Sequence, residues 1–343
     1  MPTLVQPNNI LTAQPAVFNR THWDRIRLTG ADRVRFLHNQ TTNNIEQLSA
    51  GQGCHTVFVT STGRTIDLAS VYALPDSLLL SVSPGMGKTL HDWMDRYIFF
   101  SDKVTLTIES QENFLFTVVG ENADKIARSL GAEALVGQPT FSHQSMTLPE
   151  PEPGTGSESA LSFNMAVGSD LALPGYTLWG PKQHADSVWQ ALCKAGANPH
   201  DNDQWEQLRI QQGRPMPASE LTDDDNPLEA GLWQSVSFEK GCYIGQETIA
   251  RLNTYQGVKK RLWGITLNTP VPVGSTITAE GTKIGKVTSL AHASTQNFTE
   301  NFGLAYIRTK AGGEGLTVSI EGNPAQVTAL PFTTHEYYTP EAT

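Results

Sequence analysis

Apolar and polar positions along the chain switch repeatedly between short strand-like runs and helical spacing. After the short strand IRLTG, the stretch ADRVRFLHNQTTNNIEQL places Val34, Leu37 and Ile45 at intervals that suit a helix followed by a turn. CHTVFVT, TIDLASVYAL and SLLLSVS read as strands, punctuated by Gly63 and by Pro75 with Asp76. TLHDWMDRYIFF then sets Leu90, Trp93, Met94 and Tyr97 on one helical face. This order, β, α, β, β, β, α, describes an α+β unit ending near Ser110. A second unit opens with the strand NFLFTVVG and the helix ENADKIARSLG, which Gly131 closes. It continues with the strand GYTLWG, the helix QHADSVWQALCKAG and the helix NDQWEQLRIQQG. Between these lies LPEPEPGTGSESA, so poor in apolar residues that a flexible surface loop is expected. Beyond Gly257 the pattern becomes β-rich and glycine-punctuated: KRLWGITL, STITAEGTKIGKVTSLA, GLAYI and LTVSIEGNPAQVTAL. Short alternating runs at turn-rich spacing predict a small barrel or sandwich. The expected division is therefore residues 1–110, 111–256 and 257–343.

A chain of 343 residues buries enough apolar surface to fold without disulfides. Asp and Glu number 34 against 24 Lys and Arg, a formal net charge of −10. That balance argues against general binding to nucleic acid or to an anionic membrane, both of which need clustered positive charge. The first residues, MPTLVQPNNILTAQPAVF, carry neither the basic segment nor the apolar core of a secretory signal. No apolar run is long enough to span a bilayer. A cytoplasmic protein is expected, and the three widely spaced cysteines, Cys54, Cys193 and Cys242, fit reduced thiols with no metal site.

Chemistry concentrates in FEKGCYIGQETIARL, residues 238–252. Cys242 has Gly241 before it, Gly245 after it and Lys240 two positions upstream. One reading is an accessible thiolate, stabilised by Lys240 and by the free amides of a helix beginning at QETIARL. The other is a structural thiol in a tight glycine turn. Glu247 and Arg251, four apart, support the helix, with Ile249 and Leu252 facing a core. A histidine partner for cysteine hydrolase chemistry is absent from the local sequence, so only folding could supply one. SPGMGKTL resembles a phosphate-binding loop, but the Walker pattern needs glycine where Val82 stands, so a strand-to-helix turn is expected. Lys259 to Arg261, with Arg251 and Lys240, form a basic cluster that reads as a solvated strand start or, facing a cavity, as a site for a polyanionic tail. Asp67 and Glu229 are carboxylates in apolar surroundings. Before any family is considered, each reads as exposed or as a helix cap, with the alternative of a partner for a pterin's donor pair.

NPLEAGL, FEKGCYIGQE and ARLNTYQGVKKRL together resemble the YgfZ family of folate-binding proteins linked to iron-sulfur assembly and repair, itself similar to the glycine cleavage T-protein, an aminomethyltransferase. LTGADRVRFLHNQTTNNIEQL resembles the family's N-terminal segment. The resemblance implies a three-lobed fold around a central hole holding tetrahydrofolate or another reduced folate, with a C-terminal β-barrel and the cysteine loop near the hole. It implies Cys242 and Asp67 as functional residues. Asp67, Glu229, Lys240, Gly241, Tyr243, Gly245, Gln246, Glu247 and Arg251 are the implied folate contacts, and iron-sulfur client proteins, some of them tRNA-modifying, the implied partners. Asp67 matches the catalytic aspartate of T-proteins. Thr177 and Gln211 stand where T-proteins have glutamates and Ser83 where they have an asparagine, departures that argue against glycine cleavage itself. The resemblance thus leaves two functions open, an accessory protein and a folate-dependent one-carbon transferase or demethylase.

Overall fold

The computed structural model describes residues 14–148, 160–291 and 301–340. The segment LPEPEPGTGSESA lies almost wholly outside them. The described residues start with β1 (Ala16–Asn19) and β2 (Asp24–Thr29), followed by α1 (Arg33–Gln40). Next come β3 (Gly53–Val59), β4 (Thr65–Ala73), β5 (Ser77–Val82), α2 (Met86–Asp95) and β6 (Thr105–Ile108). β3, β4, β5, β2 and β6 form one antiparallel sheet in that order. Alternation is weak in β4 and β5 because both faces are covered. Ala69, Val71 and Leu80 meet Phe36, Leu37, Leu90 and Met94 of the helices, while Tyr72 and Leu79 pack towards Trp23 and Trp179. β6 escaped the sequence reading because it is a short edge strand with little buried surface.

The second sheet is built from β7 (Asn113–Val119), β8 (His143–Leu148), β9 (Leu161–Val167), β10 (Gly175–Pro181) and β11 (Asn198–His200). Its order is β11, β1, β7, β10, β9, β8. β1 thus pairs with β7 and β11, so the chain contributes a strand to this sheet before it builds the other. α3 (Ala123–Ser129) and α4 (Ala185–Lys194) cover it through Ile126, Val188 and Leu192. α5 (Asn202–Gln212) starts at a capping box, Asp201 with Gln204, and stops at left-handed Gly213. α6 (Gln246–Thr254) follows the cysteine motif.

The last strands, β12 (Lys260–Leu267), β13 (Thr276–Ala279), β14 (Thr282–Ala291), β15 (Asn301–Arg308), β16 (Thr317–Ile320) and β17 (Asn323–Thr328), close into a six-stranded barrel. Ile265, Ile277, Val287, Ile307 and Val327 fill it. Of the two β architectures open to this segment, the barrel is the one formed. Arg209 of α5 ties it to the rest, donating to Glu220 at 3.2 Å and to Ser289 at 3.1 Å.

Candidate functional site

The motif residues 240–247 sit on the C-terminal end of α1 and on the β3–β4 turn. Gly245 opens α6 with φ of 81°, and a Cβ there would lie 2.5 Å from the Thr60 carbonyl oxygen. Any other residue would be both strained and obstructed. Gly241 is under no such constraint; the nearest neighbour to a Cβ there is His38 Nε2 at 4.0 Å. Ile244 N–H donates to the Asn39 carbonyl at 3.2 Å. Just before these two anchors Cys242 stands exposed as a free thiol.

Lys240 is placed differently from the thiolate-stabilising role. Its Nζ is buried and donates to the carbonyl oxygens of His38, Thr41 and Asn43, the last two at 2.7 Å. Helix C-terminal carbonyls lack intrahelical partners, and the ammonium supplies them. Burial pushes the Lys240 pKa down to about 7, and the thiol that acts on it electrostatically is that of Cys54, itself pushed up to about 12 by burial. Tyr243 points inward among Val57, Leu68 and Trp233, with Lys240 Nζ 4.9 Å from its ring centroid. Gln246 Nε2 donates to the Gly241 carbonyl at 3.4 Å. Glu247 and Arg251 form the i, i+4 pair at 2.6 Å, exposed and therefore weak, while Ile249 is buried and Leu252 packs beside it. Folding also delivers a histidine to this loop. His38 Nδ1 accepts from Glu46 N–H at 3.4 Å, and burial, then Lys240, lowers its pKa.

Asp67 lies apart from this loop and is neither exposed nor a helix cap; it is fully buried. Oδ1 accepts from Leu68 N–H at 2.8 Å and Ser83 Oγ–H at 2.6 Å, and Oδ2 accepts from Ser83 N–H at 2.9 Å. Ser83, the residue in the asparagine position, thus supplies both a hydroxyl and an amide. Burial raises the Asp67 pKa to about 6, against the opposing pull of the Ser83 hydrogen bonds and of Arg214. Glu229 is also buried; Oε2 accepts from Asn226 N–H at 3.3 Å, and burial raises its pKa against the pull of Lys260.

A cavity of about 320 Å³ opens where β3, residues 140–141, 171–172 and 231–235, and residues 331–332 after the barrel converge. Asn43, Cys54, His55, Phe141, Gln234 and Phe332 are among its lining residues. Asn43 connects it to the cysteine motif: its carbonyl accepts from Lys240, and its Nδ2 donates to the His55 carbonyl at 2.7 Å. Behind His55 lies a buried ionic network centred on Asp170. Arg20 NH2 is 2.9 Å and Arg214 NH2 3.2 Å from Oδ2. Ser70 Oγ donates to Oδ1 at 2.7 Å, and His55 Nε2 lies 2.7 Å from it. The indoles of Trp23 and Trp205 flank Arg20 at 3.7 and 4.2 Å. Burial alone would raise the Asp170 pKa, but Arg214 and Arg20, with the His55 hydrogen bond, hold it well below the usual carboxylate range. His38, His55, Asp170, Arg20 and Arg214 come from five separate segments, and no local spacing marks them. The one sequence signal is Asp170 itself, inside the turn GSDLALPG.

The basic cluster disperses on folding. Lys260 pairs with Asp225 at 2.6 Å and faces a second cavity of about 350 Å³ shared with Lys283, Lys286 and Arg308, while Arg251 and Lys240 turn elsewhere. SPGMGKTL is a strand-to-helix turn, with left-handed Gly85 before α2 and Lys88 paired to Asp92 at 2.5 Å. Asp24 accepts from Gly87 N–H at 2.8 Å, occupying the helix start where a phosphate would need room.

With this geometry, residues 9–240 match the GCVT N-terminal domain and residues 260–333 the glycine cleavage T-protein C-terminal barrel domain. The chain belongs to the glycine cleavage T-protein family. It is 42% identical over 322 residues to the putative transferase At1g60990, chloroplastic, of Arabidopsis thaliana, covering 94% of this chain and 72% of that protein. It is 26% identical over 342 residues to an aminomethyltransferase of Halothermothrix orenii, covering 96% and 91% of the two chains. The fold is that of the glycine cleavage system aminomethyltransferase T from Bartonella henselae, with a TM-score of 0.77 at 17% identity over 95% of this chain and 88% of that one. Among the described residues no helix is long and apolar enough to cross a membrane, and no three His, Cys, Asp or Glu residues gather to hold a metal ion.

Proposed function

We propose that the protein binds tetrahydrofolate and moves a one-carbon unit to or from it. The aminomethyltransferases of the family bind tetrahydrofolate. The observation that carries the reading is Asp67, a fully buried carboxylate raised to about 6 with no ion pair among the described residues. A buried carboxyl group poised near neutral pH is suited to acid–base work. Its two oxygens receive three protein hydrogens, leaving acceptor capacity for one more. The convergence cavity fits a bicyclic ring in volume, with Phe141 and Phe332 to pack on it and the side-chain carbonyls of Asn43 and Gln234 to accept its N–H groups. Tetrahydrofolate, when bound, supplies the nitrogens that carry the one-carbon unit. Thr177 donates to the Gly168 carbonyl at 2.9 Å and offers no carboxylate, so the donor differs from the one used in glycine cleavage.

The exposed thiol of Cys242 supports a second reading, that of a cytoplasmic YgfZ-type accessory protein whose thiol meets iron-sulfur client proteins. One experiment with two readouts separates them. Purified protein is given tetrahydrofolate with aminomethyl and N-methyl donors, and formation of methylenetetrahydrofolate is followed. In parallel, a deletion strain carrying wild type, Cys242→Ala or Asp67→Ala is scored for iron-sulfur-dependent tRNA methylthiolation. The transferase reading expects turnover by wild type and its loss in Asp67→Ala. No turnover, combined with methylthiolation that fails only in Cys242→Ala, would overturn it in favour of the accessory role.

A further inference from the structure

His55 and Asp170 together make an oriented base. Asp170 is held ionised by two buried arginines, so the hydrogen between it and His55 sits on Nε2 and the carboxylate accepts it, at 2.7 Å. In the neutral imidazole the other ring nitrogen, Nδ1, is then an acceptor. It has no hydrogen-bond partner among the described residues and is not one of the fully enclosed orphan atoms, and His55 lines the convergence cavity. The ring cannot easily turn away, because Phe141 and Phe332 stand edge-on to it at centroid distances of 4.7 and 5.5 Å. Asp170 adopts φ of 64°, a conformation uncommon outside glycine, and is kept there by Arg20, Arg214, Ser70 and His55 at once. No residue lining the cavity is Asp, Glu, Lys or Arg.

We propose that His55, positioned by Asp170, is the proton acceptor for a neutral, ring N–H ligand seated in the convergence cavity. As the lone pair of the ligand nitrogen bonds to carbon, that nitrogen's proton passes to Nδ1 and the electron pair of the broken N–H bond remains on the nitrogen as its new lone pair. The resulting imidazolium keeps its Nε2–H hydrogen bond to the Asp170 carboxylate, and the same proton is available to return to a departing amine. A charged ligand fits less well, because the lining offers it no counter-ion. The choice of a pterin-like ring rests on the folate reading; the histidine–carboxylate pair does not.

The test uses the full-length protein with ¹⁵N-labelled histidine and 6-methyltetrahydropterin, the ring without its aryl and glutamate parts. In wild type at neutral pH, His55 should show the Nε2–H tautomer, and titration with the ring should move its Nδ1 resonance saturably. His55→Gln should bind the ring about tenfold more weakly, the loss of one hydrogen bond. An Nδ1–H tautomer in the free protein overturns the proposal, and so does ring binding that leaves the His55 resonance unmoved, or no ring binding at all. A protein that binds the ring at His55 yet transfers no carbon loses the transferase reading and retains this one.

Discussion

Lys240→Met removes roughly 3 kcal/mol of stability, since it leaves three backbone carbonyls without their donor and each buried orphan costs about 1–3 kcal/mol. Methionine keeps most of the side-chain volume, so the loss reports the hydrogen bonds rather than a cavity. The net figure stays below the sum of three bonds because burying the ammonium is itself costly, as its pKa near 7 indicates. Lys240 joins Phe238–Leu252 to the end of α1, and its loss frees the loop. Denaturant melts of wild type and variant measure the stability. A thiol reagent reads the loop: Cys242 reacts in both proteins, and half-buried Cys54, beside Lys240, becomes reactive only in the variant. Equal stability with unchanged thiol counts would mean that the lysine is not a staple.

Asp67→Asn flattens the pH dependence of stability between about pH 4 and pH 6. The folded-state pKa, about 6, lies above the ordinary 3.8, so in this window the native protein holds a proton that the unfolded chain has released. Its contribution is fully present below the unfolded pKa and is lost as pH rises through 6. A shift of this size corresponds to about 3 kcal/mol. The stability of wild type relative to the variant should therefore grow by up to about that amount as pH falls from 7 to 4. The constant cost of presenting an amide to Ser83 N–H cancels from the slope. Parallel curves would show that Asp67 is not held near neutrality.

The fold was legible wherever burial is one-sided or the element is long. α4 and the barrel strands follow their apolar spacing closely because each shows one face to a core. β6, β8 and β11 were not marked out, being edge strands, and β9, an interior strand between β8 and β10, was not marked out either. The assignment of β1 to the second sheet was equally hidden, since register with β7 and β11 is set by long-range pairing. At the site, the left-handed requirement at Gly245 and the Glu247–Arg251 pair were readable because both are local. The target of Lys240 was not: two residues from Cys242 in sequence, it reaches carbonyls some two hundred residues upstream. Asp67 stood out as a carboxylate in an apolar strand, but its burial depends on Ser83 from the neighbouring strand. Beyond the acidic residue in the turn GSDLALPG, the His55–Asp170 pair left no local trace, because the ionic network that orients it draws its residues from several loops and strands.

The most direct measurement is an equilibrium titration of tetrahydrofolate into the purified wild-type protein, with Asp67→Asn alongside it. The account predicts saturable binding at one site per chain by wild type, and binding by the variant as well, because Asp67 is fully buried and is not among the residues that line the cavity. Absence of saturable binding by wild type would contradict the folate-based function at its root.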